Sequence, residues 1–497
     1  MADAPRLDSP AEWTGHWWLP DDPERAVPGV LRYEPGGGLL LSLIGGFEDR
    51  IMRPMGDGGG VAVMEGSRSW PAILGVADNK EITLIDCYPK HSQTYGLGFE
   101  GPHKQAVSAL SALVGVHLED AEQQVFTECQ VSVENLRRWA ASSVFTGTMG
   151  FKDERIDGSG TISVKPVDEP SVVVNGTTIT LAHEHTLPHF DDRRGETVGR
   201  MRDTVFVRFQ PEAPYSLSAA REQAKVVQDL VSLATHRAAG MLWLRLRMPP
   251  EDRDYPEGYP IQDRDVAVYS KVTVLGDPDA KAVAHHEVLF TCHDLPFEEV
   301  MPRWIEVRQT HQAAANMVLG LRYAPARYVE GNLLTAVGAA EVLHRNLPVE
   351  QMRMPKSEFD ALRAVLLEAT PEEHRSWVKG AVRNDPTLRE RLRVLAALPD
   401  DEAMGRLVPD VEQWAKVATQ ARNDLAHTGQ TSRQSIDELI AVVKVTAAVV
   451  MMNLLQALGL PGERQREIVN DHPELRQTAK QAGEVLNSQS TDDVESA

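Results

Sequence analysis

The sequence predicts an α+β protein of more than one domain, with a β-rich N-terminal domain followed by an all-α helical bundle. Three observations carry this. Up to about residue 300, short runs of β-branched and apolar residues alternate with polar ones between Gly, Pro and Asn turn signals. From about Glu298 that punctuation stops and apolar residues recur at helical spacing. Near the C-terminus, Leu439 to Leu460 is apolar apart from Lys444, Thr446, Asn453 and Gln456. The expected divisions are 1–300 for the β-rich domain, 301–462 for the helical domain and 463–497 for a polar, partly disordered tail. A chain of 497 residues has ample length for two or three cores.

In the first region, Leu39 to Ile44 follows the turn Pro35-Gly36-Gly37-Gly38 and reads as a strand. Glu81 to Tyr88 and Gln124 to Val133 alternate as strands do. Val172 to Thr180 reads as a hairpin, because Asn175-Gly176 supplies the two positive φ angles of a type I′ turn. Further strands are expected at Thr204 to Phe209, Met241 to Leu246 and Val266 to Leu275, with one helix at about Ser216 to His236.

Helices are then expected at Glu298 to Leu321, Tyr328 to Arg345, Ser357 to Leu367, Thr370 to Val382 and Thr387 to Leu398. Asp410 can cap the next, whose apolar positions are Val411, Trp414, Val417, Ala421 and Leu425, and Gly429 can end it. Ser435-Ile436-Asp437-Glu438 opens the last, running to about Leu458. Its length could span a bilayer, but the spread of polar residues through its middle favours a buried core or interface helix. Asn487 to Ala497 is expected to be disordered.

Composition narrows the function classes. A net charge of −21 argues against constitutive coating of nucleic acid, because phosphate contacts dominate that affinity. It leaves room for a small, local positive site. Three scattered cysteines, Cys87, Cys129 and Cys292, fit a reducing cytoplasm rather than a disulfide scaffold. The first residues have neither an apolar core nor a basic run, so no signal peptide is expected, and the expected location is cytoplasmic.

The chemistry concentrates in Ala421-Arg422-Asn423-Asp424-Leu425-Ala426-His427-Thr428-Gly429. Metal-free RNA cleavage requires a proton to leave the 2′-OH, charge stabilisation at the phosphate and protonation of the leaving 5′-oxygen. Histidine suits the proton transfers because it titrates near neutrality. Arginine suits the phosphate because its planar fork donates two parallel hydrogen bonds. Asparagine can orient either partner. Arg422 and His427 are five apart, so they diverge by about 140° on an ideal helix. They can serve one point only if the helix ends or kinks between them, or if two copies meet. Arg and His near a helix C-terminus can also be simple complements to its dipole. Arg466 and His472 form a second Arg-to-His pair, six apart, in a polar setting, and Arg383-Asn384-Asp385 repeats Arg422-Asn423-Asp424 without a His in range.

The Arg-Asn-x-x-x-His element between two apolar helical stretches resembles the signature of HEPN-domain ribonucleases. Trp13-Thr14-Gly15-His16-Trp17-Trp18-Leu19-Pro20, with Val27 to Leu31 and Leu39 to Gly45, resembles the opening of the ApeA-type N-terminal domain, which is fused to a C-terminal HEPN domain in prokaryotic anti-phage proteins. Glu341-Val342-Leu343-His344-Arg345 looks like the early HEPN helix with its acidic residue. The resemblance implies a metal-independent endoribonuclease without cofactor, acting in abortive infection. Arg422 would stabilise the phosphate, His427 would transfer protons, Asn423 would orient them and Glu341 would support the site. It also implies a homodimer that pools two motifs, a host RNA such as a tRNA as substrate, a phage-derived trigger sensed by the N-terminal domain, and no membrane partner. The alternative is a non-catalytic HEPN-like dimerisation or regulatory module.

Three other groups of residues could carry chemistry. His183-Glu184-His185 with His189 has metal-like content but reads as a polar strand end, since no further ligand set with zinc spacing is near. His285-His286 reads as a solvated strand edge. Trp13, Trp17 and Trp18 could stack bases, but their acidic surroundings favour core packing or a partner pocket.

Overall fold

The computed structural model describes residues 5–36, 38–47, 51–55, 59–63, 69–93, 104–250, 262–431 and 433–487. The chain divides into two units, Met1–Val283 and Ala284–Ala497. The first is rich in strand and the second is helical, in the order the sequence predicts.

The first unit begins with β1 (Ala11–Leu19), β2 (Asp22–Glu34), β3 (Gly38–Ile44), β4 (Ile51–Met55), β5 (Gly59–Val63), β6 (Trp70–Ala77), β7 (Lys80–Gln93), β8 (Lys104–Val114) and β9 (Glu128–Val133). A short helix α1 (Leu136–Ala140) precedes β10 (Phe145–Lys152), β11 (Arg155–Val164), β12 (Ser171–Val174), β13 (Thr177–His185), β14 (His189–Asp192), β15 (Thr197–Arg200) and β16 (Asp203–Pro211). Helix α2 (Leu217–Thr235), β17 (Met241–Met248) and β18 (Arg264–Ser270) complete it.

One antiparallel sheet runs β12-β13-β16-β9-β17-β18-β8-β3-β2-β1-β6-β7, and β7 also pairs with β8. That extra pairing closes β8-β3-β2-β1-β6-β7 into a six-stranded barrel, which removes the edges those strands would otherwise expose. Trp13, Trp17, Leu31, Leu41 and Val107 are buried on paired positions of β1, β2, β3 and β8. Trp17 is fully buried and donates its indole N–H to the Gly29 carbonyl at 3.2 Å. Trp13 packs edge-on against Tyr269 with ring centroids 4.9 Å apart. These two tryptophans are core residues, as the acidic surroundings suggest.

The expected hairpin forms, with Val174 opposite Thr177 and φ of 50° at Asn175 and 74° at Gly176. Helix α2 has the expected ends: the Ser216 hydroxyl accepts from the Ala219 N–H, and His236 closes it at φ 53°. Two strands are shorter than expected. Of Gln124 to Val133, only Glu128–Val133 is strand, and Phe126 makes an isolated bridge to Tyr215. β18 stops at Ser270, after which the backbone turns to the start of β17: the Val274 carbonyl accepts from Met241 N, and Gly276 N donates to the Met241 carbonyl.

The second unit contains α3 (Phe297–Tyr323), α4 (Val329–Asn346), α5 (Lys356–Glu368), α6 (Glu372–Ala381), α7 (Leu388–Ala397), α8 (Asp401–Leu407), α9 (Val411–Thr428), α10 (Ile436–Ala457), α11 (Gly462–Asp471) and α12 (Pro473–Val485). Helix α10 is the core, packed against α4, α12, α3, α9 and α7. Among the described residues it alone is long and apolar enough to cross a bilayer, and it is mostly buried within its own unit. Its polar interruptions have internal partners. Thr446 accepts the Trp414 indole N–H at 3.1 Å, and the Asn453 amide donates to the Leu395 and Val449 carbonyls. A buried polar group with partners costs little, so the helix stays a core helix.

Two expectations change here. The segment read as a polar tail forms α11 and α12 over Gly462–Asp471 and Pro473–Val485. Its buried positions, such as Leu475, Thr478 and Ala482, keep helical spacing but are sparse and partly polar, so the apolar pattern is faint. Residues 488–497, most of the stretch expected to be disordered, lie outside the described residues. His285-His286 is exposed on a short 3-10 turn, His285–Glu287, rather than on a strand edge.

Candidate active site

Helix α9 is fixed at its start by Asp410, whose carboxylate accepts from Gln413 N at 2.8 Å. It is fixed along one face by buried Trp414, Val417, Ala418 and Ala421. The residues that follow turn outward: Arg422, Asn423, Asp424 and Leu425 are half-buried and His427 is exposed. Gly429 ends the helix at φ 70°, donating its N–H to the Leu425 carbonyl at 3.0 Å. The predicted termination is therefore present, but after His427 and not before it. Arg422 and His427 stand on one continuous helix, and the divergence of about 140° persists.

Glu341 projects from α4 toward this helix. Its Oε2 lies 3.6 Å from Arg422 Nη2, and its Oε1 accepts from Arg345 Nη2 at 2.6 Å. Arg422 also donates from Nη1 to Asn423 Oδ1 at 3.2 Å. Three of the four expected residues, Glu341, Arg422 and Asn423, thus form one connected cluster. The His427 side chain is exposed and has no hydrogen bond or ion pair among the described residues.

Sequence reasoning missed Arg345. Its signal was the i, i+4 spacing from Glu341, which places the two side chains on one helix face. Two guanidinium groups against one carboxylate leave a local positive excess in an acidic chain. Because Arg422 is 38% exposed, this pairing orients the guanidinium more than it stabilises the fold, at about 0–1 kcal/mol. Its free N–H groups remain available to an anion. Beyond the motif, Asp424 faces Arg433 at 3.7 Å, and Thr428 donates to the Asp424 carbonyl at 2.6 Å, steadying the helix end.

The competing motifs have structural work. Arg466 pairs with Asp400 at 2.6 Å, and buried His472 caps α12 while its Nε2 contacts the Glu287 carbonyl at 3.2 Å. Asn384 bridges to Met354 through its side chain. In the first unit, His183 is held between Ser142 and Asp203, and His189 lies on a different strand pair. Among the described residues, no group of three or more His, Cys, Asp or Glu has the geometry to hold a metal ion.

Comparison with known families gives two matches. ApeA N-terminal domain 1 matches residues 12–304, and Apea-like HEPN matches residues 334–464. The second span contains Glu341, Arg345, Arg422, Asn423 and His427. No curated protein and no solved structure matches the chain.

Proposed function

The chain belongs to the ApeA family, with an ApeA N-terminal domain 1 ahead of an Apea-like HEPN domain, and from that premise we propose that it is a metal-independent endoribonuclease of anti-phage defence. The observation that carries the reading is the Glu341–Arg422–Asn423 cluster, with an exposed, unengaged His427 further along the same helix. Arg422, pre-oriented by Glu341, donates to the scissile phosphate and to the charge that grows on it. His427 moves the protons. The 2′-oxygen attacks phosphorus, the bond to the 5′-oxygen breaks, and the products are a 2′,3′-cyclic phosphate and a 5′-hydroxyl. DNA, without the 2′-OH, is inert.

The continuous helix favours a site assembled from two copies. His427 of one copy then serves the phosphate held by Arg422 of the other, accepting the 2′-OH proton and delivering it to the 5′-oxygen. The N-terminal domain would hold this activity in check until infection, with a host RNA such as a tRNA as target, in the cytoplasm.

The test is RNA cleavage by purified wild type beside His427→Ala and Arg422→Ala, in EDTA, with end-group analysis and bacterial growth under phage challenge. Cleavage that persists in EDTA, leaves cyclic phosphate and disappears in both variants is the expected result. If wild type neither cleaves RNA nor differs from the variants under challenge, the domain is a non-catalytic dimerisation module.

A further inference from the structure

The first unit holds a buried polar relay that the ribonuclease reading does not use. Asp203 opens β16 with its side chain 2% exposed, and its Oδ1 lies 2.9 Å from His183 Nδ1 on β13. His183, its side chain 4% exposed, presents Nε2 to Ser142 Oγ at 2.9 Å. Ser142 is half-buried and follows α1, which Ala141 closes at φ 54°. The order from interior to surface is carboxylate, imidazole, hydroxyl.

Hydrogen-bond logic fixes the proton positions. An ionised carboxylate only accepts, so Nδ1 carries the proton toward Asp203. In the neutral imidazole Nε2 is then an acceptor, and the Ser142 hydroxyl donates to it. The carboxylate is itself anchored: its Oδ2 accepts from Ser143 Oγ at 3.0 Å and from Val144 N at 3.2 Å, with Arg137 Nε at 3.8 Å. Anchoring of this kind holds the imidazole in one tautomer and one orientation, as nucleophilic catalysis by serine requires. The backbone N–H of Ser143, the residue after the hydroxyl, has no hydrogen-bond partner among the described residues. An amide in that position is a candidate donor to an oxyanion.

We propose that Ser142, with His183 and Asp203, is a second active site, a serine nucleophile that hydrolyses carboxylic esters. The Ser142 Oγ–H proton passes to His183 Nε2 as Oγ bonds to the acyl carbon and the carbonyl electron pair moves to oxygen. The C–O bond to the alcohol then breaks, and the alcohol leaves with the proton from His183. Water, deprotonated by His183, attacks the acyl-serine and releases the carboxylic acid and free Ser142. Ester plus water gives acid plus alcohol, with no further reactant. Nothing in this reading depends on the helical unit.

The test treats the full chain with an alkyl fluorophosphonate, reads intact mass and maps the adduct, with p-nitrophenyl butyrate turnover in parallel. One adduct per chain with loss of fluoride, on Ser142, is expected. Labelling and turnover should vanish in Ser142→Ala, fall by about 10³-fold or more in His183→Gln and Asp203→Asn, and persist in His427→Ala. Labelling no faster than that of the urea-unfolded chain, an adduct elsewhere, or undiminished rates in folded His183→Gln would overturn the assignment. Because the mapping is done on wild type, it decides the matter even if a variant fails to fold.

Discussion

Arg422 and Glu341, eighty-one positions apart in the chain, face one another 3.6 Å apart, and the same carboxylate is gripped by Arg345 at 2.6 Å. Glu341 is thus a shared anchor. The Arg345 contact fixes the carboxylate on α4, and the carboxylate in turn limits where the Arg422 guanidinium can sit.

Replacing Glu341 with Gln keeps the shape and removes the charge. Misplacement of a positioned group by about 1 Å can cost on the order of 100-fold in rate. We expect single-turnover RNA cleavage to fall by about 10- to 100-fold while the melting temperature barely moves, since a partly exposed pair contributes about 0–1 kcal/mol. Cleavage unchanged in Glu341→Gln would show that Arg422 needs no anchor. Loss of fold would show that the pair is structural.

The continuous helix through Arg422 and His427 predicts complementation between copies. Arg422→Ala and His427→Ala chains should each be inactive alone. Mixed and reannealed, a random half of the dimers would be mixed, each with one site that has Arg422 from one copy and His427 from the other. Cleavage should return to about a quarter of the wild-type rate, following the two-fold symmetry of an isologous dimer. No recovery in a mixture shown by mass to contain mixed dimers would place the whole site within one copy.

Much of this site was legible because the motif is local. Asp410, the apolar face from Trp414 to Ala421 and Gly429 mark the ends and orientation of α9 from sequence alone, and the capping box at Ser435 does the same for α10. The strands with clean turn signals were equally plain, as at Asn175-Gly176. The barrel was not. Glycines interrupt the alternation of β1, β2 and β6, because Gly15, Gly29 and Gly75 stand where a close approach leaves no space for a side chain. The pairings of β1 with β6 and of β3 with β8 that complete the barrel join segments far apart in the chain, with no sequence mark. The Ser142–His183–Asp203 relay was hidden for the same reason, since its members are forty-one and twenty residues apart on separate elements.

Acid should weaken the helical unit. Burial lowers the titration of His344, His311 and His472, with the Arg391 charge adding to the effect at His344. An unfolded histidine takes up a proton near pH 6.5, whereas these stay neutral in the fold to lower pH. Between those limits the unfolded chain binds more protons, so stability is lost as pH falls below about 6.5 and is regained as pH rises. Melting followed from pH 7.5 to 5.5 should show this decline. His344 is fully buried with its Nε2 unpartnered, so His344→Leu should flatten part of the slope, while losing the Nδ1 contact to Arg391 Nη1 at 3.5 Å lowers stability at every pH. An unchanged slope in that variant would remove His344 from the account.

The barrel should be intolerant of one methyl group at Gly75. A Cβ there would lie 2.3 Å from Trp17 Cε3 and 2.7 Å from Cζ3. The ring has little freedom to yield, because its Nε1 is tied to the Gly29 carbonyl and the whole side chain is buried. Overpacking of this kind costs about 1–3 kcal/mol, so Gly75→Ala should lower stability to urea by that amount. The cause is separable from any intrinsic effect of alanine in a strand by a double-mutant cycle. In a Trp17→Leu background the ring is gone, and the added methyl should cost less by at least about 1 kcal/mol. Equal costs in both backgrounds would mean that Gly75 is required for some reason other than Trp17. A reduced cost would identify the tryptophan as the group that dictates glycine at that position, and so explain why these strands lack the alternation by which strands are usually read.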